Sequence, residues 1–200
     1  MVEIRKTSVF AKWLDGLADA KARARVLVRL DRLIEGNPGD IKTVGEGVFE
    51  MRIDYGPGYR VYYTLRGREI VILLAGGVKG SQARDIATAL RLARNLWEIM
   101  MPKTITTRYD VAEHLRTPGE VAAYLEASLE GAKGDAAVVA KALGNIARAK
   151  GMSQVARDAG LSRESLYKAL SGESNPSFDT ILKVIAALGL QLHAAPGVKG

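Results

Sequence analysis

The chain has 200 residues, 48% of them hydrophobic, with no cysteine, two histidines and a net charge of +7. That length predicts one large or two small domains, with enough apolar material for a core or two. The absence of cysteine excludes disulfides, iron–sulfur clusters and thiol catalysis, and His114 and His193 alone make a His-rich metal site a poor expectation.

Basic side chains outnumber acidic ones by 17 to 12 in residues 1–100 and by 12 to 10 in residues 101–200. A basic balance favours a polyanionic partner such as nucleic acid; its other reading is a well-solvated surface. Residues 1–20 mix charges with apolar side chains and do not form a signal peptide, and the longest apolar run, residues 70–77, is too short to span a bilayer. The expectation is a soluble cytoplasmic protein with no membrane partner, no metal and no cofactor.

Residues 2–6 read as a short strand and 8–17 as a helix. A second helix over 19–35 carries Val26, Leu30, Leu33 and Ile34 at helical spacing. Gly36-Asn37-Pro38-Gly39 ends it, and residues 41–44 fit a short edge strand. Residues 48–54 alternate, with Phe49, Met51 and Ile53 on one side and Glu50, Arg52 and Asp54 on the other. Residues 59–65 also alternate, Val61, Tyr63 and Leu65 against Arg60, Tyr62 and Thr64, and Tyr55-Gly56-Pro57-Gly58 joins the two strands as a hairpin loop. Residues 69–75 are nearly all apolar, as in a central strand buried on both faces. Ser81 is placed to cap a final helix to Trp97, with Ile86, Leu90 and Ala93 inward. The first half is thus α+β, in the order β-α-α-β-β-β-β-α.

At Met100-Met101-Pro102 the pattern, charge and fold class change without a Gly/Ser linker. The chain reads as two joined proteins, 1–100 and 101–200; the other reading makes the two methionines core residues at a helix end. Beyond a short start the second half is all-helical. Helices are expected over 111–115, over 118–129 with Thr117, Pro118 and Glu120 as its cap, and over 135–150. Four short segments follow to Leu192, and residues 198–200 form a frayed tail.

The sharpest motif runs from Ser153 to Leu170. Ser153 and Ser162 are placed as caps of two short helices, Ala156 is small enough for a close crossing, and Gly160 permits the positive φ of a tight turn. Leu161, Leu166 and Leu170 supply a buried side. Gln154, Ser162, Arg163, Glu164, Tyr167 and Lys168 are left outside, where they can reach base edges and phosphates. An ordinary helical hairpin shares single features of this set, but the full set points to a helix-turn-helix. The segment resembles the lambda-repressor-like, Xre-type antitoxins. With its lead-in from 107 to 150 it is similar to the HigA-like addiction module antidote family, over most of residues 101–195, with the helix-turn-helix domain at about 136–192. The resemblance implies a dimer that binds operator DNA and represses transcription.

The first half resembles the RelE/ParE superfamily in its HigB-like, addiction module killer branch. The carrying residues are Phe10-Ala-Lys-Trp-Leu, Val48-Phe-Glu-Met-Arg52, Gly56-Pro-Gly-Tyr-Arg-Val-Tyr-Tyr63 and Leu73-Leu-Ala-Gly-Gly-Val-Lys79-Gly-Ser-Gln82. Val78 stands where relatives often carry Asp. The resemblance implies a toxin, held by the antitoxin half, that cleaves mRNA on the ribosome; ParE-like relatives instead inhibit DNA gyrase by binding. A plain transcription regulator is a third reading of the whole chain.

Cleavage by an RNA 2′-hydroxyl needs help with its proton, charge to stabilise the pentavalent phosphorus, and a proton for the leaving oxygen. Glu50, Arg52, Arg60 and Tyr62 share one sheet face with Lys79 in the loop beyond, and this half has no histidine for a paired-histidine mechanism. The competing reading makes Glu50 and Arg52 cross-strand ion partners on a solvated face, with Tyr62 merely packing. Arg23, Arg25, Arg29 and Arg32 read as a solvated or RNA-backbone-facing surface, and Trp13 and Met51 as core. Residues 110–135 carry six acids against Arg116 and Lys133, with an apolar stripe of Val121, Tyr124, Leu125 and Leu129. This is either a docking helix for the basic half or an acidic face over an ordinary core.

Overall fold

The structure, a computed structural model, describes residues 3–67, 70–97 and 104–193. It divides into two compact units, Met1–His114 and Leu115–Gly200.

The first unit contains β1 (Glu3–Thr7), α1 (Ser8–Asp15), α2 (Ala20–Ile34), β2 (Ile41–Gly45), β3 (Val48–Ile53), β4 (Tyr59–Arg66), β5 (Ile70–Val78), α3 (Gln82–Trp97) and β6 (Thr106–Arg108). The strands form one sheet in the order β2-β3-β4-β5-β1-β6, in which β1 and β5 are parallel and the other neighbours antiparallel. Thr7 makes the step from strand to helix. Its hydroxyl accepts from the Phe10 N–H at 3.1 Å and donates to the Leu74 carbonyl at 2.6 Å, so one side chain caps α1 and ties it to β5. Asp19 caps α2 by accepting from the amides of Lys21 and Ala22.

Both faces of the sheet are covered. The apolar face of α3 (Ala89, Leu92, Ala93) packs on Val48, Tyr62, Ile72, Leu74 and Ala75. The alternate side chains, including Met51 and Val61, point to the other face, where α2 lies against β3 and β4 and α1 against β5. The face carrying Glu50 is therefore not solvated, as the ion-pair reading required. Alternation shows which side chains share a face; the amphipathic α3 decides what lies over it. Gly76 and Gly77 serve the two sides. A Cβ at Gly76 would lie 2.1 Å from the Trp13 ring, and one at Gly77 would lie 1.8 Å from the Asp85 carboxylate. Trp13 and Asp85 can sit flat on the sheet only because these positions lack side chains.

β6 comes from the predicted second half. Residues 98–103, which hold the Met100–Met101 junction, lie outside the described residues, but the chain returns at Thr104 to the first unit. Residues 104–114 fold there, with a 3₁₀ turn at Val111–His114 in place of a helix. Ser81 also differs from expectation. It ends a 3₁₀ turn, Lys79–Ser81, where its hydroxyl donates to the Val78 carbonyl and accepts from the Val78 amide, and it contacts Asp85.

The second unit contains α4 (Pro118–Ala132), α5 (Ala136–Lys150), α6 (Met152–Asp158), α7 (Arg163–Leu170) and α8 (Phe178–Ala187). Thr117 and Glu120 form a reciprocal capping box with Pro118 in the first turn. Among the described residues three helices follow α5, not four segments, and the 198–200 tail lies outside those residues. Gly151, at φ +100°, starts α6, so Ser153 is an exposed residue of its first turn and not its cap. Val121, Tyr124 and Leu125 are buried within this unit, where α4 packs on α5 and the Tyr124 hydroxyl accepts from Asn145 at 2.8 Å. Of the stripe expected to dock on the first half, only Leu129 is exposed. Among the described residues no helix is long and apolar enough to cross a membrane.

Candidate functional site

In the first unit the five predicted residues converge, but at two depths. Register pairs Glu50 with Tyr62 and Arg52 with Arg60 across β3 and β4, and Arg60 with Gly77 on β5. Glu50 is fully buried and accepts hydrogen bonds from Arg52 Nε at 3.0 Å, the Tyr62 hydroxyl at 3.2 Å and Gln82 Nε2 at 2.7 Å, and it forms an ion pair with Arg60, whose Nε lies 3.5 Å away without a hydrogen bond. Burial alone raises a carboxyl pKa. Here the hydrogen bonds from Arg52, Gln82 and Tyr62 and the Arg60 charge outweigh it, holding Glu50 below the usual carboxylate range. Tyr62 is equally buried, and burial followed by the Glu50 charge pushes its hydroxyl up, so it stays protonated.

Glu50 and Tyr62 thus lie out of reach of a substrate and away from proton exchange near neutral pH. They form a hub that orients the cations. Arg52 is half-exposed and also faces Asp40 at 3.7 Å. Arg60 is mostly buried, with Nη1 donating to the Gly58 carbonyl at 3.0 Å. The same carbonyl accepts the Lys79 amide at 2.9 Å, which brings the exposed Lys79 to the rim of the Arg60 position. Sequence reading missed the contribution of Gln82 to the hub and of Asp85 over Gly77. Both lie on α3, whose placement over this face the strand alternation does not encode.

Three of the four α2 arginines are engaged within the unit. Arg23 donates to the Leu17 carbonyl at 2.6 Å, Arg29 to the Pro38 carbonyl at 2.5 Å, and Arg25 lies 4.8 Å over the Tyr55 ring. They brace loops.

In the second unit α6 and α7 meet through a tight turn. Gly160 has φ +67°, the Leu161 amide reaches back to the Ala156 carbonyl at 2.9 Å, and Ser162 caps α7 by accepting the Ser165 amide at 3.0 Å. Val155, Ala156, Leu166 and Leu170 are buried. Gly144 lets α5 and α7 approach, since a Cβ there would stand 3.0 Å from the Leu170 carbonyl oxygen. Gln154, Ser162, Arg163, Glu164, Tyr167 and Lys168 are all exposed. Arg163 lies over the Tyr167 ring at 5.5 Å. With Arg148, Gly151, Gln154 and Arg157 these two line an open cleft of about 490 Å³. Arg148 and Arg157 were not among the expected residues; they enter because α5 and α6 end beside α7. Among the described residues no group of three or more His, Asp or Glu side chains is arranged to hold a metal.

Two family models match the chain. Residues 12–98 match the family described as "Phage derived protein Gp49-like", and residues 105–196 match "Probable addiction module antidote protein". An uncharacterized protein of Haemophilus influenzae is 46% identical over 95 residues, which is 48% of this chain and 96% of that protein. Another uncharacterized protein of the same bacterium is 54% identical over 85 residues, 42% of this chain and 86% of that protein. No solved structure matches the chain. The chain therefore carries, in succession, a domain similar to the Gp49-like family and a domain similar to the addiction module antidote family.

Proposed function

We propose that the chain is a toxin and its antidote in one polypeptide, acting in the cytoplasm. The first part is a HigB-like, RelE/ParE-type endoribonuclease that cuts mRNA on the ribosome. The second is a HigA-like, Xre-type antidote that also represses its own operator through a helix-turn-helix. The succession of a Gp49-like and an antidote domain carries this reading. In the first part, Arg52, Arg60 and Lys79 gather around one β3–β4 position, where fixed positive charge can stabilise a pentavalent phosphorus. Glu50 and Tyr62 are positioning residues here. Their burial also favours a second reading, a toxin that binds its target, as a gyrase inhibitor does, without cutting RNA. Residues 1–100 expressed alone should arrest growth, separately supplied 101–200 should relieve it, and translating extracts containing the toxin should show cut mRNA. Arrest without cleavage selects the binding toxin, while soluble residues 1–100 that leave growth untouched would sink both and leave the plain regulator.

For the antidote, support comes from the exposed set on α6 and α7 around a cleft lined by arginines. Arg163 is assigned to a base edge, a guanine offering two acceptors to its guanidinium. Arg163→Ala should cost about 1–3 kcal/mol on the operator and relax specificity at one position. Lys168 is assigned to a phosphate, so Lys168→Ala should weaken all sequences alike and reduce the salt slope by about 1. Titration against operator and scrambled DNA at several salt concentrations separates the two. Wild-type operator affinity in both variants would mean that α7 does not read DNA.

A palindromic operator needs two recognition helices roughly 34–36 Å apart, hence a dimer. The surface assigned to it is α8, where Phe178 and Leu182 stand one turn apart and are 69% and 43% exposed. Leu182→Glu should give a monomer by light scattering. A dimer that survives it uses another surface.

A further inference from the structure

The region matching the antidote family begins at residue 105, yet its first strand does not fold with the antidote helices. β6 is the outermost strand of the first unit's sheet. It pairs antiparallel with β1, Thr7 opposite Thr106, Lys6 opposite Thr107 and Arg5 opposite Arg108, and the ladder continues with the Tyr109 amide donating to the Ile4 carbonyl at 2.9 Å. The alternation of antiparallel bonds points the Thr107 amide at β1 as well.

Side chains lock the strand in place. Arg5 donates to the Thr106 hydroxyl at 2.8 Å and to its carbonyl at 2.9 Å, and Lys6 Nζ pairs with Glu113 at 3.0 Å. Tyr109 and His114 are buried and stacked, ring centres 5.6 Å apart, with His114 Nδ1 3.5 Å from Asp15 at the end of α1. The Thr104 hydroxyl donates to the Leu92 carbonyl of α3 at 3.3 Å. One short segment thus touches β1, α1 and α3.

We propose that residues 104–114 are the clasp by which the antidote holds the Gp49-like unit. It is a peptide added in extended form to the β1 edge and locked by Tyr109, Glu113 and His114. This rests on the toxin–antidote reading and names the surface that joins the two parts. β6 is three strands from β4, a separation of about 14 Å at 4.8 Å per strand. The clasp therefore holds the unit by an edge away from the Arg52, Arg60 and Lys79 cluster, and residues 104–114 leave Lys79 exposed. The Gp49-like unit would accept the same segment from a separate antidote chain.

The test uses the full chain with a protease site placed within residues 98–103. After cutting, the two pieces should stay together in size-exclusion chromatography at micromolar concentration. Thr107→Pro removes a ladder donor and should raise their dissociation constant tenfold or more. Lys6→Glu should weaken the pair, and adding Glu113→Lys should restore it. In the uncut wild-type chain the Thr107 and Tyr109 amides should be protected from hydrogen exchange. Pieces that separate on cutting, cut Thr107→Pro pieces that hold as tightly as wild type, or amides exchanging as in a free peptide would each overturn the clasp. Separation on cutting while residues 1–100 still arrest growth removes the clasp and leaves the toxin reading intact. The reverse pattern removes the toxin and keeps the clasp.

Discussion

Arg60→Ala and Lys79→Ala should each abolish growth arrest by the freed first part while leaving it folded. Lys79 is exposed and meets the site only from its rim, so its truncation opens no core; surface changes of this kind stay within about 0.5 kcal/mol. Arg60 is mostly buried, and its loss breaks the ion pair with Glu50 from one side and should cost stability, but the hydrogen bonds from Arg52, Tyr62 and Gln82 still hold the carboxylate. If the cations stabilise charge developing on a phosphoryl group, loss of one should slow cleavage about 10²–10³-fold, the size found for single donors to a developing anion. The measurements are colony counts after induction and the rate of mRNA cutting in a translating extract, beside circular dichroism of each variant. Full toxicity in both variants would place the chemistry elsewhere. Lost cleavage with retained arrest would mean that the first part acts by binding.

Glu50→Ala should be the most damaging substitution for stability. It leaves the Arg60 guanidinium, the Tyr62 hydroxyl and the Gln82 amide facing an emptied buried site. Breaking a buried ion pair from one side costs about 3–5 kcal/mol, which can exceed a third of a small domain's stability. The same hub makes stability depend on acid. The folded pKa of Glu50 lies below the ordinary value of 4.5, so the unfolded chain takes up the proton first as pH falls. Its stabilisation is fully present above pH 4.5 and is lost as pH drops through the folded pKa. Glu50→Gln should be less stable than wild type at neutral pH, with a difference that narrows on acidification. Urea unfolding of the full chain between pH 3 and pH 7, followed through first-unit tyrosines, measures both effects. A Glu50→Gln gap independent of pH would show that the carboxylate does not carry the hub's charge.

Much of this was legible in the residues. The alternations of β3 and β4, the Tyr55–Gly58 hairpin, the apolar run of β5 and the Thr117 and Ser162 caps are local signals, and each is observed in place. Three things were hidden because they depend on distant partners. Period-two spacing assigned Glu50, Arg52, Arg60 and Tyr62 to one face but could not show α3 lying over it, so the depth of Glu50 and Tyr62 was not foreseen. The spacing of Arg23 and Arg29 marked a helix face, yet each guanidinium turns to a loop carbonyl. Thr106–Arg108 is too short for any periodicity to register, and its strand identity comes from the β1 edge it meets. Ser153 illustrates a smaller effect. A serine near a helix start is a good cap candidate, but Gly151 already had the positive φ that ends α5 and starts α6.

If β6 is the antidote's hold on the Gp49-like unit as proposed, its pairing with β1 within one chain makes their encounter intramolecular and not a collision between molecules. A short connection of this kind sets an effective concentration of roughly millimolar, far above what two separately made proteins reach in a cell. Dilution, unequal synthesis or faster turnover of one partner cannot then change the ratio of the two domains, which is fixed at one to one by translation. Only cutting the connection returns control to ordinary mass action. The residues between Trp97 and Thr104 thus hold the stoichiometry of the whole module.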